Sequence, residues 1–258
     1  MSWATRRQFK YAFGVFLFFG LIIFAIIYPV IFKAPTCQDG KKNADESGVD
    51  CGGSCSLMCK SEIFSPVVLW NRAFLVINNN YNLVAYVENR NRDSAVLKAS
   101  YEFRIYDNNN KLLGRREGST FIPPNQQFAI FEPRFDAGEG QIKTVTFEFI
   151  EPLIWVKKAP TLQALPIRVN NIVFDDNKDT PSLSAIINND SVYDLPEFNV
   201  IAILYDKDNN AINASKTYKD KLLSNDSIPV FFTWPEILSA TPVRKDVIIS
   251  INPFSVSF

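Results

Sequence analysis

Residues 83–89 (LVAYVEN) and residues 183–189 (LSAIINN) carry the same short pattern, 100 positions apart. In both runs a leucine, an alanine and a β-branched residue stand at every second position, and an asparagine closes the run. Such alternation is typical of a β-strand that buries one of its faces. A spacing of about 100 residues is the length of one β-sandwich domain, so the repetition predicts two tandem domains of one fold.

The segments around these two runs repeat as well. Residues 106–107 (YD) stand before an asparagine cluster, and residues 205–206 (YD) do the same. Residues 131–133 (FEP) have a counterpart in residues 233–235 (TWP). Short runs rich in Val, Ile, Phe and Tyr, separated by Asn, Asp, Gly and Pro, predict strands joined by turns. The predicted strands are residues 67–77, 82–88, 98–106, 112–121, 127–132 and 143–150, and then 167–174, 183–187, 198–205, 211–218, 228–233 and 246–251.

The run from Ala12 to Phe32, AFGVFLFFGLIIFAIIYPVIF, contains no charged residue. A helix of this length covers about 30 Å, the thickness of the hydrocarbon core of a bilayer. The run is longer than the roughly 7–15 residues of a signal-peptide core, which favours an uncleaved signal anchor over a cleaved signal peptide. Arg6, Arg7 and Lys10 precede the run, and this cluster favours a cytoplasmic N-terminus. We therefore predict a single-pass plasma-membrane protein whose C-terminal domains are extracytoplasmic.

The predicted fold class is all-β, with two tandem sandwich domains behind a single transmembrane helix and a disulfide-rich stalk. The predicted domains are a cytoplasmic tail over residues 1–11, the anchor over 12–32, the stalk over 33–62, and sandwiches over 63–158 and 159–258. Residues 157–160 (KKAP) are the expected linker between the sandwiches.

Composition excludes several classes of function. Lys and Arg together number 27, as do Asp and Glu, so the balanced charge gives no electrostatic case for nucleic acid. The chain has no histidine. This absence removes the commonest general base, the Ser-His and Cys-His nucleophile systems and every His-ligated metal site.

All four cysteines, Cys37, Cys51, Cys55 and Cys59, fall within the stalk. The segment has too little apolar material to fold alone, and small units of this kind need disulfides or a metal. An even number of cysteines outside a membrane favours two disulfides, whose connectivity the sequence leaves open among three arrangements. One zinc ion held by four thiolates is the alternative, but the long gap between the first two cysteines lacks the usual paired spacing.

The stalk resembles a cysteine motif of microbial surface proteins that reads roughly C-x-D-G-x-x-N-x-x-E-[ST]-G-x-D-C-G-G-x-C. The matching residues are Cys37, Asp39, Gly40, Asn43, Glu46, Ser47, Gly48, Asp50, Cys51, Gly52, Gly53 and Cys55. The resemblance implies an extracytoplasmic knob or stalk. Asp39, Asn43 and Asp50 are weak calcium candidates, because they imitate part of an EF-hand loop. Lys41 and Ala44 break that pattern, and a solvated loop pinned by disulfides is favoured over a metal site.

The two repeated units resemble the FxLYD and late-embryogenesis-abundant type-2 (WHy-like) domains, which are immunoglobulin-like sandwiches. The resemblance rests on residues 87–89 (VEN) and 103–107 (FRIYD), and on residues 187–189 (INN) and 202–206 (AILYD). Ile105 and Ala202 depart from the pattern, where Leu and Phe are usual. The resemblance implies a generally non-enzymatic module that is often membrane-proximal, and it names no ligand.

Other patterns have simpler interpretations. Residues 206–210 (DKDNN) begin like a calcium loop but lack its glycine and glutamate, so a hairpin turn is favoured. Residues 175–179 (DDNKD) are interpreted as a solvated turn, with an ion site as the alternative. Asn189, Asn213 and Asn225 each begin an N-glycosylation sequon. Trp70, Trp155 and Trp234 are expected to pack in a core or between domains rather than to bind a ligand.

Three functions remain open from the sequence. The first is a non-catalytic, membrane-anchored extracytoplasmic protein that binds or scaffolds another component of the cell envelope. The second is an accessory subunit of a secretion, pilus or envelope-assembly complex, and the third is a hydrolase using carboxylates or a Ser-Lys pair. We predict no enzyme, no catalytic residue and no cofactor. We expect a protein partner and a membrane, but neither nucleic acid nor a small-molecule ligand, and the ligand-binding residues are unknown.

Overall fold

A computed structural model describes residues 3–31, 36–150, 152–158, 165–176 and 180–255. These residues form one α-helix, a short 3-10 turn over Lys60–Glu62 and thirteen strands, all paired antiparallel. The chain divides into two compact units, Met1–Cys55 and Ser56–Phe258, which are described separately. The first contains the helix and a disulfide loop, and the second contains all the strands. The all-β fold class is confirmed.

Helix α1 extends over Trp3–Ile31. Its central part, Gln8–Tyr28, is long and apolar enough to cross a membrane, and every side chain in it is exposed. The helix begins nine residues before Ala12, where the apolar run starts, because Arg, Lys and Gln are good helix formers although they are polar. Phe32, the predicted last residue of the anchor, lies outside the described residues.

The first sandwich consists of two sheets. The middle strands are β2 in sheet I and β3 in sheet II, and a short strand, β7, also pairs with β3. Sheet I contains β1 (Val67–Ile77), β2 (Asn80–Asn89) and β5 (Gln126–Asp136), and sheet II contains β3 (Ser94–Tyr106), β4 (Leu112–Ile122), β6 (Thr144–Ile150) and β7 (Trp155–Lys157). The residues enclosed between these sheets include Leu83, Ala85, Phe103 and Ile105, all fully buried.

The second sandwich repeats this arrangement. Its middle strands are β9 in sheet III and β10 in sheet IV. Sheet III contains β8 (Ile167–Asp175), β9 (Ser182–Asn189) and β12 (Asp226–Thr233), and sheet IV contains β10 (Phe198–Tyr205), β11 (Ala211–Lys219) and β13 (Arg244–Ser250). The strand orders 1-2-5 and 4-3-6 become 8-9-12 and 11-10-13, so the six main strands have the same topology in both halves. The predicted linker at residues 157–160 falls partly outside the described residues.

The repeat extends to the register of the strands. Val84 pairs with Phe131 in sheet I, and Ser184 pairs with Phe231 in sheet III. The offset is therefore 100 residues in both strands of each pair. The expected parallel between residues 131–133 and 233–235 is wrong by two positions, since Phe231 and not Thr233 is the counterpart of Phe131. The prediction aligned the two segments on the proline that they share. In the structure, the hydrogen bonds to the middle strand of each sheet set which residues are equivalent.

The two sandwiches share a third apolar core. The outer face of sheet I contributes Phe74, Val84 and Phe131, and the outer face of sheet IV contributes Ile201 and Ile203. All five are at most 8% exposed. The strands therefore form four layers in the order II, I, IV, III, with apolar residues at all three contacts. Strand β10 is buried along almost its whole length, and β2 is buried on both faces over residues 83–85. Burial on both faces explains why β10 and the middle of β2 are apolar without alternation.

Candidate functional site

The disulfide loop precedes the strands. Cys37 is bonded to Cys55, and Cys51 and Cys59 are disulfide-bonded as well, so no described cysteine is free. The alternative of a zinc ion on four thiolates is therefore wrong, because a disulfide sulfur is not a thiolate ligand.

The acidic residues of this loop that match the cysteine motif accept hydrogen bonds from the backbone of the loop itself. The Asp50 carboxylate accepts hydrogen bonds from the backbone N–H of Asp39 (2.9 Å) and of Gly40 (2.9 Å). The Asp39 carboxylate accepts from the backbone N–H of Lys41 (3.0 Å) and from Nδ2 of Asn43 (2.8 Å). The bond from Asn43 is the main cause that lowers the pKa of Asp39. The three weak calcium candidates thus lie within one loop, where two of them already accept hydrogen bonds from amide donors. A calcium site there stays the less favoured alternative to a solvated loop.

Glu46 is the buried acidic residue of the loop, with an exposed fraction of 7%. It accepts a hydrogen bond from the backbone N–H of Asn43, and its Oε1 lies 3.4 Å from Sγ of Cys55. Glu46 and the Cys37–Cys55 pair are close enough to be ligands of one metal ion, but the bonded sulfurs carry no charge. Gly53 has a positive φ, and a side chain there would meet the Asp45 carbonyl oxygen at 2.0 Å. These motif positions therefore determine the shape of the loop.

The asparagine that closes each repeated run holds the adjacent loops. Asn89 is 1% exposed, and its Nδ2 donates to the carbonyls of Ser94 (2.9 Å) and Pro123 (2.7 Å). Asn189 is fully buried, and its Nδ2 donates to the carbonyls of Tyr193 (2.8 Å) and Leu223 (2.9 Å). Because a buried amide must satisfy its donors internally, both residues are structural.

The two Tyr-Asp segments form matching hairpin turns. The carboxylate of Asp107 accepts from the backbone N–H of Asn109 and Lys111, and that of Asp206 accepts from Asp208 and Asn210. The bond from Asn210 is the main cause that lowers the pKa of Asp206. The expected hairpin at residues 206–210 is therefore confirmed. Of the acidic segment 175–179, residues 177–179 lie outside the described residues.

Polar contacts also cross the interface between the two sandwiches. Arg72 on β1 donates through Nη1 to the Ala211 carbonyl (2.7 Å) and through Nη2 to Oδ1 of Asn210 (3.2 Å). Lys216 on β11 places Nζ 3.4 Å from the Phe131 carbonyl and 5.4 Å from the centre of the Phe131 ring. Burial lowers the pKa of Lys216. Each contact joins one sandwich to the other.

The tryptophans pack as expected. Trp70 lies at this interface, with its ring 6.4 Å from that of Tyr205. Trp155 and Trp234 are 7% and 3% exposed within the first and second cores. Within the described part of the chain, the indole Nε1 of Trp234 has no hydrogen-bond partner. This nitrogen is fully buried, although the Trp234 residue also borders the cleft described below.

A cleft of about 350 Å³ opens at one end of the interface. Its lining includes Phe74, Tyr81, Ile212, Glu236 and Ile237. These side chains are mostly apolar, and Glu236 is the one carboxylate among the residues that line the cleft. Ser215, Thr233 and Ser239 line it as well, so the cleft combines hydroxyl groups with one carboxylate.

The two outermost faces differ in chemistry. On sheet II, Glu102 is paired with Arg104 and Arg115, and Arg104 also contacts Glu148. On sheet III, Val173 and Phe231 stand on either side of Ser184 and are 58% and 65% exposed. The exposed face of sheet III is therefore the candidate functional surface. Sequence alternation alone could not identify it, because alternation predicts which side chains face outward but not whether another part of the chain covers them.

Comparisons with known proteins add little. The chain matches no known protein family, and no curated protein matches it either. Among solved structures, one that matches is the transglutaminase of red sea bream, at 9% identity and a TM-score of 0.22. The match covers 72% of this chain and 31% of that chain, so this chain spans about a third of its length.

Proposed function

We propose that this protein is a non-catalytic, membrane-anchored scaffold of the cell envelope that works by contact with a protein partner. In this proposal α1 crosses the plasma membrane with its N-terminus in the cytoplasm, and both sandwiches lie outside. The resemblance to FxLYD and late-embryogenesis-abundant type-2 domains supports the non-enzymatic and membrane-proximal character of this role. It needs no cofactor.

The observation that carries the proposal is the shared core between sheets I and IV. A scaffold must hold its binding surfaces at fixed positions, and the buried cluster that includes Phe131, Ile201 and Ile203 joins the two sandwiches into one body. Flexible tandem domains have small and polar contacts by comparison. Arg72 and Lys216 add hydrogen bonds across the same contact.

Two further observations support the proposed location. Helix α1 presents exposed apolar side chains along its central 21 residues, and lipid is the solvent in which such a surface is stable. The oxidised cysteines beyond the helix suit an oxidising compartment, such as the outer side of the plasma membrane.

The experiment is protein crosslinking of the full chain in native membranes, followed by identification of the captured partner by mass spectrometry. The control is the same anchor, residues 1–35, joined to an unrelated soluble domain. We expect an envelope protein that the full chain captures and the control does not. Capture of the same proteins by both chains would contradict the proposal.

The proposed orientation is tested with protease added to intact cells. We expect cleavage of the region after Phe32 without permeabilisation of the membrane. Complete protection of this region until the cells are permeabilised would contradict an extracytoplasmic location.

A further inference from the structure

Three asparagines of the second sandwich, Asn189, Asn213 and Asn225, each begin the sequon at which an N-linked glycan can be attached. The structure places them in different environments. Asn189 is fully buried, and its Nδ2 donates to backbone carbonyls. Its Oδ1 accepts from the hydroxyl of Ser191 (2.6 Å), the third residue of its own sequon. The two groups that define this sequon are therefore bonded to each other inside the fold.

Asn213 is half-buried in the middle of β11, where it pairs with Leu204 of the neighbouring strand. Its Oδ1 accepts from the backbone N–H of Ala214 (2.9 Å). Asn213 and Ser215, the third residue of its sequon, both line the cleft between the sandwiches. A glycan is bulky and belongs on an open surface, so the folded chain has no room for one at this position.

Asn225 lies in the turn between β11 and β12 and is exposed, as is Ser227, the third residue of its sequon. The backbone of Asn225 has a φ of 53°, and its N–H donates to the carbonyl of Ser191 (3.2 Å). This bond holds the turn through the backbone and does not use the side-chain amide. A surface turn of this kind can carry a bulky, polar group without any change in the packing of the sandwich.

The internal repeat supplies a second copy of this turn, 100 residues earlier. Asn125 is the counterpart of Asn225: its φ is 48°, and its N–H also donates to a carbonyl of the adjacent loop (2.9 Å). Asparagine tolerates a positive φ better than most residues, so the shape of the turn accounts for asparagine in both copies. The third position differs, since Ser227 stands where the first sandwich has Gln127. The turn thus explains the asparagine and leaves the hydroxyl unexplained.

We propose that Asn225 is N-glycosylated and that Asn189 and Asn213 are not. In this reaction Nδ2 of Asn225 forms a bond to the anomeric carbon of an oligosaccharide that is carried on a lipid phosphate. The bond from that carbon to the phosphate oxygen breaks, the lipid phosphate leaves, and the amide loses one proton. The inference rests on the proposed function in one respect: glycan transfer takes place outside the cytoplasm, where that proposal puts both sandwiches.

The test is mass spectrometry of the full chain purified from its native membranes. We expect one glycan per chain, on the peptide that contains Asn225. Asn225→Gln should remove it completely, but glutamine at a positive φ also strains the turn. Ser227→Ala should remove the glycan just as completely while the turn asparagine stays in place. Ser227→Thr keeps a hydroxyl and should retain the glycan, and Asn213→Gln is the matched control that should leave it unchanged.

The first sandwich offers a matched gain of modification. Gln127→Ser completes a sequon at Asn125 within the corresponding turn, and it removes one hydrogen bond from the hydroxyl of Tyr86 (3.0 Å). We expect a glycan on Asn125 in this variant and none on Asn125 in the native chain, because the two turns then differ in nothing that the reaction requires.

Three outcomes would overturn the inference: a native chain without a glycan on Asn225, a glycan on Asn189 or Asn213, or a glycan that Ser227→Ala retains. A glycan on Asn125 in the Gln127→Ser variant, with none on Asn225, would refute the inference while the extracytoplasmic location stands. A glycan on Asn225, with no partner captured in the crosslinking experiment described above, would support the inference while the proposed function fails.

Discussion

At the scale of single residues, the most informative side chains are structural. Asn89 and Asn189 are buried amides that hold the loops at the ends of their strands. Asp107 and Asp206 cap the backbone of their hairpins. The residues that make the two repeats look alike in sequence are therefore ones that build the sandwich.

The role of Asn189 leads to a prediction about stability. Asn189→Ala removes a buried amide that donates to the carbonyls of Tyr193 and Leu223 and accepts from the hydroxyl of Ser191, so the free energy of unfolding should fall by about 2 kcal/mol. Asn188→Ala is the control, because Oδ1 of Asn188 makes no hydrogen bond within the described chain and its loss should have little effect. Thermal unfolding of the solubilised full chain, followed by tryptophan fluorescence, measures both. Equal effects of the two substitutions would contradict this role.

The raised pKa of Tyr86, on the outer face of sheet I, predicts that the stability of the fold depends on pH. Burial, together with the nearby Tyr205 and Asp246, raises the pKa of Tyr86 from 10.0 to about 12. The folded protein therefore retains this proton after the unfolded chain has lost it, so stability present below pH 10 is lost as the pH rises through 12. Tyr86→Phe should make the fall in unfolding midpoint between pH 9 and pH 12 shallower. An unchanged slope would show that Tyr86 titrates alike in both states.

At the scale of elements, the sequence is a good guide to which segments form strands and a poorer guide to their surroundings. The twelve predicted strands correspond to twelve of the thirteen observed strands. The missing strand is β7, whose three residues pair with β3. Three residues are too few to display a periodic pattern, and β7 is defined only by its partner in the sheet.

Strand β2 illustrates how alternation can mislead. The run LVAYVEN predicts one buried face, yet Leu83, Val84 and Ala85 are all 0% exposed. Leu83 and Ala85 face the core of the first sandwich, whereas Val84 faces the second sandwich. Local sequence reveals that a side chain is apolar, and only the folded chain supplies the surface that covers it.

The disulfide loop is the element whose local structure is best explained by the residues of the cysteine motif. The matched positions Asp39, Gly40, Asn43 and Asp50 account for the hydrogen bonds that close the loop. Short polar loops are specified by such local bonds and by residues with positive φ. The motif could therefore be interpreted from sequence as a structural unit, although it could not select the Cys37–Cys55 pairing from the three arrangements.

At the scale of the whole molecule, the decisive feature is the contact between sheets I and IV. Ile203 at this contact is 0% exposed, and the equivalent outer-face position on β3 of the first sandwich is Arg104, which is ion-paired on the surface. Of the two counterpart sheets IV and II, the covered one thus carries apolar residues on its outer face and the open one carries charges. This difference agrees with the packing of sheet IV, and not sheet II, against the other sandwich.

The contact between sheets I and IV predicts that substitutions on a covered outer face and on an open outer face lower the free energy of unfolding by different amounts. Ile203→Ala removes buried apolar atoms and leaves a cavity, so the free energy of unfolding should fall by about 2–5 kcal/mol. Glu148→Ala on the outer face of sheet II removes an exposed ion pair and should change it by less than about 1 kcal/mol. Chemical denaturation of the solubilised chain measures both. If Ile203→Ala proved as mild as Glu148→Ala, the two sandwiches would not share a core.

The sequence by itself determined the apolar helix, the β class, the repeat and the number of main strands, because each depends on patterns within a few neighbouring residues. The tertiary structure alone decided which faces meet, that Phe131 is covered while Phe231 is open, and that Cys37 pairs with Cys55. These features depend on residues far apart in the chain: Val84 and Ile203 are 119 positions apart yet lie in one core. A local pattern specifies a strand and its apolar positions, and the packing of the whole chain determines what those positions contact.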